Sequence, residues 1–331
     1  SISGTSVNVV PLVGHNTLRG SVVGYQDVQP TPDQQSAMED LLSDAMGAGA
    51  RGMSAGLYYP PGYYAHAEEL ISLTQLVPRL AVIHAVHVRS ESDELLDALD
   101  EVVAIATKSG VRVEVAHLKL EGYRNWEDIH ALVDKLDTIH DEGLRIGCDQ
   151  YPYVACSTWL AAMLPYWAQT GGSKSIARRL EDPEFRARLR EDWHEHRAEW
   201  DSRSGIQHWS DLMVSRFPGR PDLQGRTLDE IAASRDKAPL DTLFDLIFES
   251  DGAAGAVWFT QLEENVIRLM QHPLVAIGSD GHAVQPDGVL GKRQWHPRSY
   301  GTFPRVLSRY VREQSVLSLE EAVRKMTSLT A

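Results

Sequence analysis

Three apolar runs in this chain stop at residues able to bind a metal or move a proton: Val82-Ile83-His84-Ala85-Val86-His87, Val113-Glu114-Val115-Ala116-His117 and Val275-Ala276-Ile277-Gly278-Ser279-Asp280. Runs of this kind read as strands buried on both faces, and hence as a parallel sheet walled by helices. In such folds the working residues gather at the carboxyl ends of the strands. A single histidine there is ordinarily a hydrogen-bonded structural residue. Two on consecutive strands weigh more, because neighbouring strands lie about 4.8 Å apart and both imidazoles can meet one ion at about 2.1 Å. His87 and His117 are therefore the candidate metal ligands, each followed two residues later by a cation, Arg89 and Lys119. A catalytic zinc usually takes three protein ligands, and this spacing supplies two.

Asp280 is the candidate proton carrier. Ser279-Asp280-Gly281 also reads as a plain turn. The strand before it, however, brings the carboxylate to the same rim as the histidines. Beside a metal-activated water it could take a proton and return it to a leaving amine. Asp149-Gln150-Tyr151-Pro152-Tyr153 leads to Ser157. This is either a rigid turn with two packed rings, or a phenol and a hydroxyl that bind a substrate carbonyl or carboxylate. Cys148 and Cys156 read as small buried hydrophobes, with no histidine placed to make either a nucleophile.

These residues need a scaffold of alternating elements, and the pattern supplies one. Strands are expected over 8–13, 52–57, 80–87, 112–117, 144–149, 254–259 and 274–279, with helical patterns between them. Ser90 is a plausible N-cap for a helix ending near Gly110. The alternation breaks over 159–236, a charged, helix-prone stretch with Trp193, Trp200 and Trp209. It reads as a helical insertion, either solvated or folded as a lid or subunit contact.

The chain has 331 residues, 43% hydrophobic and 24% charged, the balance of an ordinary globule. A net charge of −14 leaves no basic stripe for nucleic acid or for an anionic membrane surface. One local Lys or Arg can still hold a small anionic substrate. Two cysteines exclude a disulfide framework, and no apolar stretch is long enough to span a bilayer. A cytoplasmic location is the expectation.

Taken together, the motifs resemble the N-acyl-D-amino-acid deacylases, the D-aminoacylase-type members of the amidohydrolase superfamily. The matching stretches are 12–19 (LVGHNTLR), 56–62 (GLYYPPG), 87–93 (HVRSESD), 117–119 (HLK), 149–153 (DQYPY), 277–281 (IGSDG) and 296–305 (HPRSYGTFPR). They span nearly the whole chain in the right order. The resemblance implies an α/β fold of the (β/α)₈ TIM-like barrel type, incomplete at both ends, over 1–331. It implies Zn²⁺ on His87 and His117, and Asp280 as general acid/base. Lys119, Tyr151, Ser157 and Tyr59 would hold a small N-acyl-D-amino acid, with oligomerisation possible. Which D-amino acid is preferred would depend on whether Arg298, Lys292 or Arg293 reaches the substrate side chain.

The family's His-x-His strand and a further cysteine ligand have no counterpart within these residues. The expectation is therefore a fragment with an open sheet edge, aggregation-prone and nearly inactive alone. If it proved active, His15 or His84 would complete the metal shell. Two other readings stand beside the deacylase: a cyclic-amide hydrolase of hydantoinase or dihydroorotase type, and a non-catalytic barrel remnant. The cyclic amidases usually carry a carboxylated lysine between two metals, and no lysine ends a strand where one is needed.

Overall fold

The computed structural model of the chain describes residues 8–76, 83–288, 290–292 and 294–331. The expected strand start at 80–82, and Arg293, lie outside them. Contacts divide the chain into two compact units, one of residues 1–89, 96–116 and 137–147, the other of 90–95, 117–136 and 148–331. The fold is α/β with a parallel sheet. Its strands, in hydrogen-bonded order, are β1 (Val13–Gly14), β2 (Gly52–Gly56), β3 (Ile83–His87), β4 (Arg112–Val115), β5 (Ile146–Gln150) and β9 (Val275–Ile277). No helix among the described residues is long and apolar enough to cross a membrane.

In the first unit, β1 to β4 pair in sequence order, with Gly56 opposite His87 and Val86 opposite Val115. Gly52 has φ +144°, and a Cβ there would sit 1.9 Å from the Ile83 carbonyl oxygen, so only glycine lets β2 start against β3. The helix Pro32–Gly47 opens with a Thr31/Gln34 capping box and Pro32 in its first turn, and buries Met38, Leu42 and Met46 along one face. The helix Leu95–Ser109 buries Leu95, Ala98, Leu99, Val102, Ile105 and Ala106, the 3.6-residue stripe that seats it on a sheet. It starts at Leu95, not at Ser90. Residues 90–94 are bends and turns because Glu91 is drawn inward to partners on the second unit's own segments, described below.

The second unit holds the end of β5 against β9, with Cys148 opposite Val275 and Gln150 opposite Ile277. A cluster of Val266, Met270, Ile277, Val306, Tyr310, Leu317 and Ala322 packs behind β9 and fixes its exit. The expected strand over 254–259 forms as β8 (Gly255–Trp258), but outside the parallel sheet. It pairs antiparallel with β6 (Cys156–Trp159) and β7 (Leu212–Arg216), in the order β6-β8-β7. All four residues of β8 are buried, and a continuous apolar run does not reveal the direction of its neighbours.

The stretch 159–236 is mostly helical, with helices at Ser173–Arg179, Pro183–Glu195, Arg197–Ser204 and Leu228–Ser234, but it also carries β7. Its tryptophans build a local core: Trp193 meets Trp200 edge-on and stacks on Trp209, both at 5.1 Å between ring centroids.

Candidate metal centre

The site residues of the second unit follow the ends of β4, β5 and β9. His117 and Asp280 each hold φ in the left-handed region, 43° and 44°. That conformation costs a non-glycine residue about 1–3 kcal/mol and persists where surrounding bonds over-determine it. For His117 the bonds are visible. Its backbone N–H donates to the Asp149 carboxylate at 3.0 Å, and the Leu118 N–H donates to the Asp149 carbonyl at 2.7 Å. The Asp149 carboxylate in turn lies against Gly278, where any Cβ would come within 2.5 Å of Oδ1. Burial raises the Asp149 pKa, against the pull of His117, and the neighbouring charge of Asp280 adds to the rise.

Glu91, His117 and Lys119 form a buried cluster. Glu91 Oε1 lies 3.0 Å from His117 Nδ1 and also accepts from the Lys119 ammonium. The same ammonium lies 2.9 Å from His117 Nδ1. Lys119 is only 4% exposed. Burial pulls its pKa down, but Glu91 and Glu121 outweigh that, and the net shift is upward, so the ammonium keeps its charge. Glu121 is raised as well: burial, then Glu91, pushes its carboxyl up. Burial, then Glu121, pushes the Cys156 thiol well above its ordinary value. Cys156 is thus a reluctant thiolate, as its sequence context suggested.

Of the expected substrate residues, Tyr151 sits beside this cluster. Tyr151 is buried, with the Lys119 ammonium 5.6 Å and the Arg298 guanidinium 4.6 Å from its ring centroid. Burial raises its phenol well above the ordinary range, so it stays a protonated donor. The Ser157 hydroxyl donates to the Ala256 carbonyl at 3.1 Å, across the β6–β8 pair. Arg298 sits 2.8 Å from the Asp280 carboxylate and is 8% exposed, so its charge is already engaged with the expected proton carrier. Of the Lys292 side chain nothing is described.

In the first unit, His87 ends β3, and the Tyr59 ring lies beside its imidazole at 5.2 Å between centroids. The Ala116 N–H donates to the Val86 carbonyl and so extends the β3–β4 pairing by one residue. Imidazoles are ordinary zinc ligands, and a carboxylate held against the far ring nitrogen of one is its usual companion. The residues present fit a zinc ion.

His15 and His84 are engaged within the first unit. His84 alternates with His87 along β3, is fully buried, and its Nδ1 lies 3.3 Å from the Met53 carbonyl. His15 is spent on a buried hydrogen bond with the Glu69 carboxylate at 2.7 Å, which Arg19 also pairs with. Sequence reasoning missed Glu91 and Asp149 as site members. The signal for Glu91 was its position four residues after His87, hidden by reading Ser90–Glu94 as the first turn of a helix.

No protein-family model matches the chain. It is 35% identical over 330 residues to an N-acyl-D-aspartate deacylase of Alcaligenes xylosoxydans xylosoxydans, covering 98% of this chain and 55% of that protein. A structure of N-acyl-D-glutamate deacylase from Bordetella bronchiseptica, complexed with zinc and a phosphonate mimic of the tetrahedral intermediate, superposes with a TM-score of 0.77. The two are 32% identical, and the match covers 98% of this chain and 57% of that one. A D-aminoacylase studied for its binuclear metal centre superposes at 0.76 with 30% identity, over 100% of this chain and 58% of the other. The chain spans a little over half the length of the curated relatives it matches.

Proposed function

We propose that this chain belongs, over the stretch it spans, to the N-acyl-D-amino-acid deacylase family and that the protein is a zinc-dependent amide hydrolase. Its substrates are small N-acyl-D-amino acids and its products a carboxylate and a D-amino acid. The parallel sheet is read as part of a (β/α)₈-type barrel, with 159–236 inserted in it. The observation that carries the reading is the buried cluster in which Glu91 joins His117 and the Lys119 cation.

His87 and His117 hold the metal. A zinc ion there supplies Lewis acidity to the amide carbonyl and makes water nucleophilic near neutral pH. Asp280, aimed by Arg298 at 2.8 Å, takes the proton from the attacking water and delivers it to the leaving amine. Lys119 provides a local positive charge for an anionic substrate in a chain of net charge −14. The protonated Tyr151 phenol and Ser157 line the same ground, and Tyr59 covers His87. The left-handed backbone at His117 and Asp280 fits this use, since such strain gathers where side chains are aimed for chemistry.

The test is substrate choice. Full-length protein should release amino acid from N-acetyl-D-amino acids and leave the L-enantiomers largely intact. Opening of hydantoins or dihydropyrimidines with no action on N-acetyl-D-amino acids would replace this reading with the cyclic-amide one.

A further inference from the structure

The cluster at Glu91 raises a question of protons. His117 Nδ1 has two neighbours within hydrogen-bond distance, Glu91 Oε1 at 3.0 Å and Lys119 Nζ at 2.9 Å. An ammonium only donates, and an ionised carboxylate only accepts. One ring nitrogen cannot serve both. If Nδ1 carries the proton it donates to Glu91, and the ring's lone pair is on Nε2. If Nδ1 carries the lone pair it accepts from Lys119, and Nε2 is protonated and lost to a metal.

We propose that Glu91 is a positioning residue, which takes the Nδ1 proton of His117 and so commits that imidazole to binding metal through Nε2. Three observations favour this over direct ligation by Glu91. Its Oε1 already accepts from the Lys119 ammonium. A dication on the same oxygen would stand against that buried ammonium. The Glu91–Lys119 bond also satisfies the ammonium without His117, so nothing requires the opposite tautomer. Lys119 then balances the buried charge of Glu91. Carboxylates that grip a ligating histidine in this way typically strengthen metal binding by about 10–100-fold.

The inference rests on the zinc-hydrolase reading, and the experiment separates the two. Zinc affinity is measured by chelator competition on the full-length protein and on Glu91→Gln and Glu91→Leu. The tautomer of His117 in the zinc-loaded protein is read from ring ¹⁵N shifts, assigned with His117→Gln. The expected result is a protonated Nδ1 on a metal-bound ring. Glu91→Gln, whose amide oxygen still accepts, should hold zinc within a few-fold of wild type, while Glu91→Leu should lose at least about tenfold. A metal on Nδ1, or equal loss in Gln and Leu, would overturn the positioning role while leaving the zinc site standing. A wild-type protein with no zinc affinity would sink the underlying reading instead.

Discussion

Arg298 and Asp280 form an ion pair at 2.8 Å, the guanidinium nearly buried and the carboxylate partly open. The expected proton carrier is thus fixed in direction by a rigid cation that also covers the Tyr151 ring. Replacing Asp280 by Asn keeps the shape and a hydrogen-bond partner for Arg298 but removes the proton acceptor. Turnover should fall by about 10²–10⁴-fold, with zinc content and melting temperature near wild type. An Asp280→Asn protein keeping more than about a tenth of its rate would take Asp280 out of the chemistry.

Lys119 should show in KM. A charge-assisted bond to the substrate α-carboxylate contributes about 1.5–3 kcal/mol, so Lys119→Met should raise KM by about 10–150-fold. A substrate analogue without the carboxylate should be affected far less. Equal losses on both would show that Lys119 acts only through Glu91 and His117.

Gly278 should tolerate no side chain. A Cβ would press to 2.5 Å from Asp149 Oδ1, the atom that accepts from the His117 backbone. Gly278→Ala is expected to destabilise the protein by about 1–3 kcal/mol and to lower activity as His117 shifts. Denaturant unfolding beside steady-state kinetics checks both; an Ala variant indistinguishable from wild type would mean that Asp149 does not position His117.

Acid stability should carry the mark of two buried histidines. Burial, with His15 nearby and against a bond to the Met53 carbonyl, lowers the His84 pKa to about 4; burial and Arg298 lower His296 to about 4. Both are neutral when folded, while the unfolded chain takes up protons below about pH 6.5. Their contribution is therefore complete above pH 6.5 and lost as pH falls toward 4, about 3 kcal/mol for each. His84→Gln should flatten the dependence of unfolding free energy on pH in that window without abolishing it, since His296 remains. An unchanged slope would mean His84 is not buried neutral.

How legible this was varied with the kind of signal. The apolar runs ending in His87, His117 and Asp280 gave the parallel strands and their rim, because periodicity and burial act locally. The sixth run became β8 of an antiparallel sheet, since strand direction depends on partners far away in sequence. Glu91 was hidden for a similar reason: an acidic residue after a serine looks like the first turn of a helix. Only the tertiary bonds to His117 and Lys119 draw it inward. Asp149 was visible as part of a motif, but its grip on the His117 backbone was not.

The central claim is that His87 and His117 hold the zinc on which amide hydrolysis depends. The most direct measurement is zinc content against turnover of an N-acetyl-D-amino acid by the full-length protein, after chelation and then stepwise return of zinc, for wild type, His87→Ala and His117→Ala. The account predicts that wild-type activity vanishes on chelation and returns in proportion to zinc, and that both variants bind zinc at least about tenfold more weakly and recover little. Turnover persisting in zinc-free wild type, or full recovery in either variant, would contradict it.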